Sequence, residues 1–264
     1  MDARVRLKLG VFLAVALAAA AMPASAQKGN SGVVSSGKTV RKVRVTEEDT
    51  SVAPAVIQAE TAIEKRDYVA AEALLQKVVE LDPRDYRAYF DLGYVFNATG
   101  RKLEAINAYK KSVAVKPTVQ ETNLNLGILL AAEGKNVEAA RFLRAATSLK
   151  PEAKDSAGVY RAWLSLGRVL QDVAPAEAIA AYREAARMEP KDPEPHLSLA
   201  RLLEKADPSA SESEYRQALA LDPKSQDALA GLINLYTQSE RLTEAEAFLR
   251  AYLRAQPQSA SANL

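Results

Sequence analysis

The chain reads as an all-α protein built from repeated antiparallel helix pairs, and three observations predict it. First, Pro83, Pro117, Pro151, Pro190, Pro223 and Pro257 stand 34, 34, 39, 33 and 34 residues apart, an interval that marks an internal repeat. Second, small residues recur at fixed distances before each proline. Third, the 48% hydrophobic content is dominated by alanine, with aromatics at only 6%, which suits helix-on-helix packing better than a sheet.

The N-terminus comes first in order. Arg4, Arg6 and Lys8 precede an apolar run from Leu9 to Ala21; Met22-Pro23 breaks it, and Ala24-Ser25-Ala26 supplies the small residues of a cleavage site. This is the three-part pattern of a secretory signal, so 1–26 is expected to be a cleavable leader and the chain exported, to a periplasm or beyond, from a bacterium. The run of 13 residues falls short of the roughly 20 that span a bilayer. With no cysteine in the chain, disulfides, zinc ribbons and lipidated termini are excluded. A single histidine, His196, argues against a helical metal site as well. Loss of the leader removes Arg4, Arg6, Lys8 and Asp2 from a net charge of +2, leaving the mature chain neutral. Such a balance gives no reason to expect a nucleic-acid partner.

Residues 27–51 are expected to be a basic Gly/Ser-rich linker. Within it, Gly32-x-x-x-x-Gly37-Lys38-Thr39 matches the phosphate-cradling loop letter for letter. That chemistry needs a core strand before the glycines and a helix after them. Here the polar Gln27-Lys28-Gly29-Asn30-Ser31 precedes, and the β-branched Val40-Arg41-Lys42-Val43-Arg44-Val45 follows, so the motif is a spacer and no nucleotide cofactor is expected. Thr39 to Val45 could instead pair with a neighbour's sheet edge or meet an anionic surface.

Each repeat can be read back from its proline. Three columns place Val78, Ser112, Ala146, Ala185, Ala218 and Tyr252, then Leu75, Tyr109, Leu143, Tyr182, Tyr215 and Leu249, then Ala71, Ala105, Ala139, Ala178, Ser211 and Ala245 on one helical face. A second small column, Ala59, Gly93, Gly127, Gly167 and Ala200, lies on the preceding helix, with Ile233 the exception. A glycine inside a helix costs about 1 kcal/mol against alanine. Gly93, Gly127 and Gly167 therefore imply close approach of two helices, with Leu, Tyr and Phe filling the flanks. The prediction is six helix pairs at about 52–85, 86–119, 120–153, 159–191, 192–225 and 226–259, then a polar tail at 258–264. Five inserted residues near Glu152 to Ser156 could put a hinge between the third and fourth pairs.

The pattern resembles the tetratricopeptide repeat. The residues that carry the likeness are Tyr89-x-x-Leu92-Gly93-x-x-Phe96, Ala105, Tyr109 and Pro117, and Trp163-x-x-Leu166-Gly167-x-x-Leu170, Ala178, Tyr182 and Pro190. The resemblance implies a right-handed superhelical solenoid whose concave wall, formed by the first helix of each pair, grips a peptide or helix of a partner protein. On this chain the wall positions are Arg87, Phe90, Asp91, Tyr94, Asn97, Leu124, Asn125, Ile128, Arg161, Leu164, Arg168, Leu197, Arg201 and Asn234. Arg161, Arg168 and Arg201 are expected to form a ladder for carboxylates, and Asn125 to bond a peptide backbone. The family's basic clamp for a chaperone's acidic tail is not reproduced, because Phe90, Asp91, Leu124 and Ile128 occupy that wall. Trp163 stands in a column expected to be core, His196 in the same column is expected to be packed or hydrogen-bonded, and no carboxylate pair stands out as catalytic. The function expected is a non-catalytic scaffold, or else a dedicated subunit of an envelope machine for secretion, polysaccharide export or outer-membrane assembly. The last helix, near Thr243 to Ala255, lacks a capping helix and is expected to expose Phe248 and Ala251 for self-association.

Overall fold

The computed structural model describes residues 54–151 and 156–255. The expected leader, the linker with its Gly32–Thr39 motif, most of the Glu152–Ser156 insertion and the polar tail lie outside the described residues. Among those described there are twelve helices and no strand. They run α1 (Pro54–Glu64), α2 (Tyr68–Leu81), α3 (Tyr86–Ala98), α4 (Lys102–Val115), α5 (Gln120–Ala132), α6 (Asn136–Ser148), α7 (Ala157–Leu170), α8 (Pro175–Met188), α9 (Pro193–Leu203), α10 (Pro208–Leu221), α11 (Gln226–Gln238) and α12 (Leu242–Ala255). The chain divides into two compact units, with α1 to α8 in one and α9 to α12 in the other, the division falling between Met188 and Glu189. It does not fall at the insertion: α6 and α7 pack together across that point.

Helix starts follow from local chemistry. Asp67, Asp85 and Asp207 each accept a hydrogen bond from the amide three residues on, as does the Ser225 hydroxyl. Pro193 and Pro208 occupy first-turn positions, where their missing N–H is no loss. Helix ends are set by the proline turns, in which Asp82 and Asp222 accept from the amides of Arg84 and Lys224 at 2.9 and 3.0 Å. Within pairs, the short turns pass through left-handed backbone. Gly100 and Gly134 supply it at φ 81° and 71°; Arg66 and Glu240 adopt it without glycine, at 60° and 56°.

Packing confirms the meaning of the glycine column. A Cβ added at Gly93 would lie 2.7 Å from the Tyr109 ring; at Gly127, 2.7 Å from Leu143; at Gly167, 2.7 Å from the Tyr182 ring. Each glycine thus faces the second helix of its own pair. In α1 to α4 the core of Val56, Ala59, Leu75, Ala88, Leu92 and Val95 continues from pair to pair without closing on itself. Tyr215, Leu232, Leu235 and Tyr236 centre the corresponding core of α9 to α12. Helix α5 is buried on nearly every side, Gln120 through Leu130 included, although Gln120, Glu121, Thr122, Asn123 and Asn125 are polar. Its polar N-terminal residues are absorbed into the turn, Asn123 donating to the carbonyls of Pro117 and Val119 at 2.9 and 2.8 Å.

One core expectation, Trp163, needs refinement. Trp163 is only half-buried, because its column borders the helix flank rather than the pair's centre. His196 is half-buried and hydrogen-bonded, its Nδ1 2.7 Å from Glu214 Oε2.

Candidate partner-binding wall

The first helices supply the wall, and their register is fixed by the small column. Residues three before and one after that column share a face along the helix. In the larger unit these are Phe90 and Tyr94 on α3, Leu124 and Ile128 on α5, and Leu164 and Arg168 on α7. Five of these six are apolar or aromatic. Phe90, Leu124 and Ile128 are buried, while Tyr94 and Leu164 are half-buried. Phe90 stands edge-on to Tyr109 with ring centroids 5.7 Å apart, so the ring facing Gly93 also supports the wall.

Polar groups flank this stripe. Asn125 is fully buried and its Nδ2 donates to Tyr109 Oη at 3.4 Å, which spends one donor within the fold. Asn97 is half-buried at the end of α3. Arg87 is buried, with its guanidinium 5.3 Å from the Tyr86 ring centre. Arg161 and Arg168 lie two turns apart on α7, on one face and half-buried. Burial pulls the Arg161 guanidinium below its ordinary pKa, the sign of a cation held in a poorly solvated place.

Arg201 and Asn234 belong to the smaller unit, where both are exposed. Arg201 already has a carboxylate partner, donating from Nη2 to Asp227 Oδ2 at 2.8 Å. The three arginines are therefore not one structural element: two share α7, and the third is paired inside its own unit.

Glu121 was missed by sequence reasoning. It is fully buried on α5 and occupies the register of Arg87 on α3 and Arg161 on α7. Counting six residues back from each column glycine would have found it. With Asp91, also buried, it makes the wall mixed in charge rather than purely basic. Among the described residues no group of three His, Asp or Glu side chains is arranged to hold a metal, and no helix is long and apolar enough to cross a membrane.

Known proteins share this architecture. Residues 58–119 and 202–264 each match the tetratricopeptide repeat family. No curated protein matches the chain. Among solved structures, YrrB, described as a TPR protein with an unusual peptide-binding site, is 18% identical with a TM-score of 0.61, covering 69% of this chain and 92% of YrrB. MamA is 22% identical with a TM-score of 0.56, over 64% of this chain and 91% of its own. PilF of Pseudomonas aeruginosa is 21% identical with a TM-score of 0.55, over 80% of this chain and 96% of its own. PilW, described as a widely conserved type IV pilus biogenesis factor, is 16% identical with a TM-score of 0.55, over 80% and 94%. The described residues have the fold of a tetratricopeptide-repeat array, and residues 58–119 and 202–264 match the family itself.

Proposed function

We propose that the protein is an exported, non-catalytic scaffold whose first helices grip a peptide segment or helix of a partner protein. One observation carries the reading: Phe90, Tyr94, Leu124, Ile128 and Leu164 form an apolar stripe at equivalent positions of three successive first helices. Phe90, Leu124 and Ile128 are already covered within the fold, so the half-buried Tyr94 and Leu164 are the part of the stripe open to a partner. They fit the apolar face of an amphipathic partner, with Asn97 near its backbone and Arg161 and Arg168 near its carboxylates. Export rests on the basic-apolar-small order of residues 4–26. Isothermal titration with an amphipathic acidic peptide recovered from envelope extract tests the grip. Arg161→Glu with Arg168→Glu should abolish capture, whereas unchanged affinity would remove these arginines from the site.

The second reading is a dedicated subunit of an envelope machine. It is favoured by the similarity to PilF and PilW, which spans 80% of this chain and 94% or more of each. Affinity isolation from envelope extract separates the two: one stoichiometric complex supports the subunit, many weak ligands the general scaffold. Self-association through α12 is also proposed. Phe248 there is half-buried, 6.4 Å from the Tyr236 ring and 6.2 Å from Tyr252, while Ala251 is exposed. Phe248→Glu should lower the scattering mass at high concentration if this end docks copies.

A further inference from the structure

The second helices of the first three pairs carry a repeated outward pattern that the partner-binding wall does not use. Val69, Leu103 and Val137 stand two residues before the small column, 34 residues apart, and are 82%, 64% and 82% exposed. Equivalent positions in the last two pairs are Ser209 and Thr243, so aliphatic exposure is not a demand of the repeat. On the same faces, one or two turns along, sit the exposed cations Lys77, Lys111 and Arg141.

Ion pairs align these helices. Arg101 Nη1 reaches Glu72 on α2 at 2.7 Å, Lys110 reaches Glu138 on α6 at 2.6 Å, and Lys102 lies 3.6 Å from Glu133. The 34-residue interval sets the three aliphatic tips at the same register of successive second helices, which those pairs tie together. They also neutralise acids of the face: Glu104 and Glu72 are bound by Arg101, Glu133 by Lys102 and Glu138 by Lys110. Lys77, Lys111, Lys135, Arg141 and Lys150 have no carboxylate partner among the described residues, and against the exposed Asp67 and Glu80 they leave an excess of positive charge.

We infer that this edge docks on an anionic lipid surface. With the turn edge down, Val69, Leu103 and Val137 enter the boundary between headgroups and acyl chains. Cations four and eight residues along α2, α4 and α6 then stand roughly 6–12 Å higher, at the level of the phosphates. A folded protein partner fits less well, because the aliphatics project from helix starts and line no concavity.

Co-sedimentation of the purified full chain with vesicles tests this, comparing phosphatidylcholine alone with phosphatidylcholine plus phosphatidylglycerol. The chain should pellet with the anionic vesicles and be released by salt. Val69→Ser with Leu103→Ser and Val137→Ser should weaken binding about tenfold. Lys77→Glu with Lys111→Glu and Arg141→Glu should weaken it about a hundredfold and remove the salt dependence. All six residues are exposed, so circular dichroism should be unchanged, and the N-terminal leader is common to every variant. Equal pelleting of parent and both variants would overturn the inference. So would binding to soluble polyglutamate with none to anionic vesicles. Loss of peptide capture by the Arg161 and Arg168 variant, with vesicle binding intact, would show the two surfaces to be independent.

Discussion

The second helix pair, α3 with α4, and the last, α11 with α12, are the same motif under different constraints. Both carry one clamp. Arg101 stacks over Phe96 at 4.3 Å and bonds Glu72 and Glu104; Arg241 stacks over Tyr236 at 5.0 Å and bonds Glu212 and Glu244. They differ at both glycine positions. The second pair has Gly93 against Tyr109 and Gly100 in its turn, whereas the last has Ile233 and Glu240. With a branched side chain at the crossing, α11 and α12 pack less closely than α3 and α4. Their walls differ in the same direction: Phe90 and Tyr94 on α3 against Ala230 and the exposed Asn234 on α11. The difference teaches that close crossing and apolar wall positions go together in the second pair, while the last pair has neither and rests on the apolar cluster around Leu232, Leu235 and Tyr236 together with its Arg241 clamp.

That contrast can be broken at several points. The largest effect is expected at the glycines that touch rings. Gly93→Ala places a Cβ 2.7 Å from Tyr109 and Gly231→Ala one 2.3 Å from Tyr215. Each should cost about 2–3 kcal/mol despite the better helix propensity of alanine. Amide hydrogen exchange should localise the loss to α3–α4 and to α10–α11 respectively.

Next comes the charged clamp of the last pair. Glu212 is 8% exposed and accepts from Tyr236 Oη at 2.9 Å, Arg241 Nη1 at 2.6 Å and Arg216 Nη2 at 2.8 Å. Burial alone would raise its carboxyl pKa, but the bonds from Arg241 and Tyr236 and the nearby Arg216 charge outweigh it and hold the value below 4.5. A lowered folded pKa contributes stability present above the unfolded value and lost as pH falls through the folded one. Protection of α11 and α12 should therefore fall below about pH 4.5, and Glu212→Gln should cost about 2 kcal/mol at neutral pH. Equal acid sensitivity in the variant would remove Glu212 from that role.

The smallest effect is at the turns. Glu240→Gly relieves a non-glycine residue at φ 56° and should stabilise the last pair by about 1 kcal/mol. Gly100→Ala, at φ 81° with open space around it, should cost a similar amount through backbone strain alone. Thermal melts of the two variants should move in opposite directions.

Most of the fold was legible because its signals are local and repeated. The proline interval, the glycine column and the Asp and Ser caps each depend on residues within one pair. Gly231 was not legible: it lies two residues before the column and faces Tyr215 of the preceding pair, a contact that no within-pair spacing reveals. The wall was legible as positions, since register follows from the column, but its burial was not. Solvent exposure depends on everything packed around α5, and Glu121, in the register that Arg87 and Arg161 hold on the neighbouring first helices, is at 0% exposure. Arg201 misled for a related reason. Its partner Asp227 is 26 residues away on another helix, beyond the reach of helical spacing.

The measurement that bears most directly on the account is site-specific photo-crosslinking in the producing cell, with the probe at Tyr94 and, separately, at Asn234. Capture of one partner segment at Tyr94, lost when Leu164→Glu is added, and little or nothing at Asn234 is the predicted result. Equal adducts at both positions, or adducts at Tyr94 that survive Leu164→Glu, would contradict a gripping wall confined to the first unit.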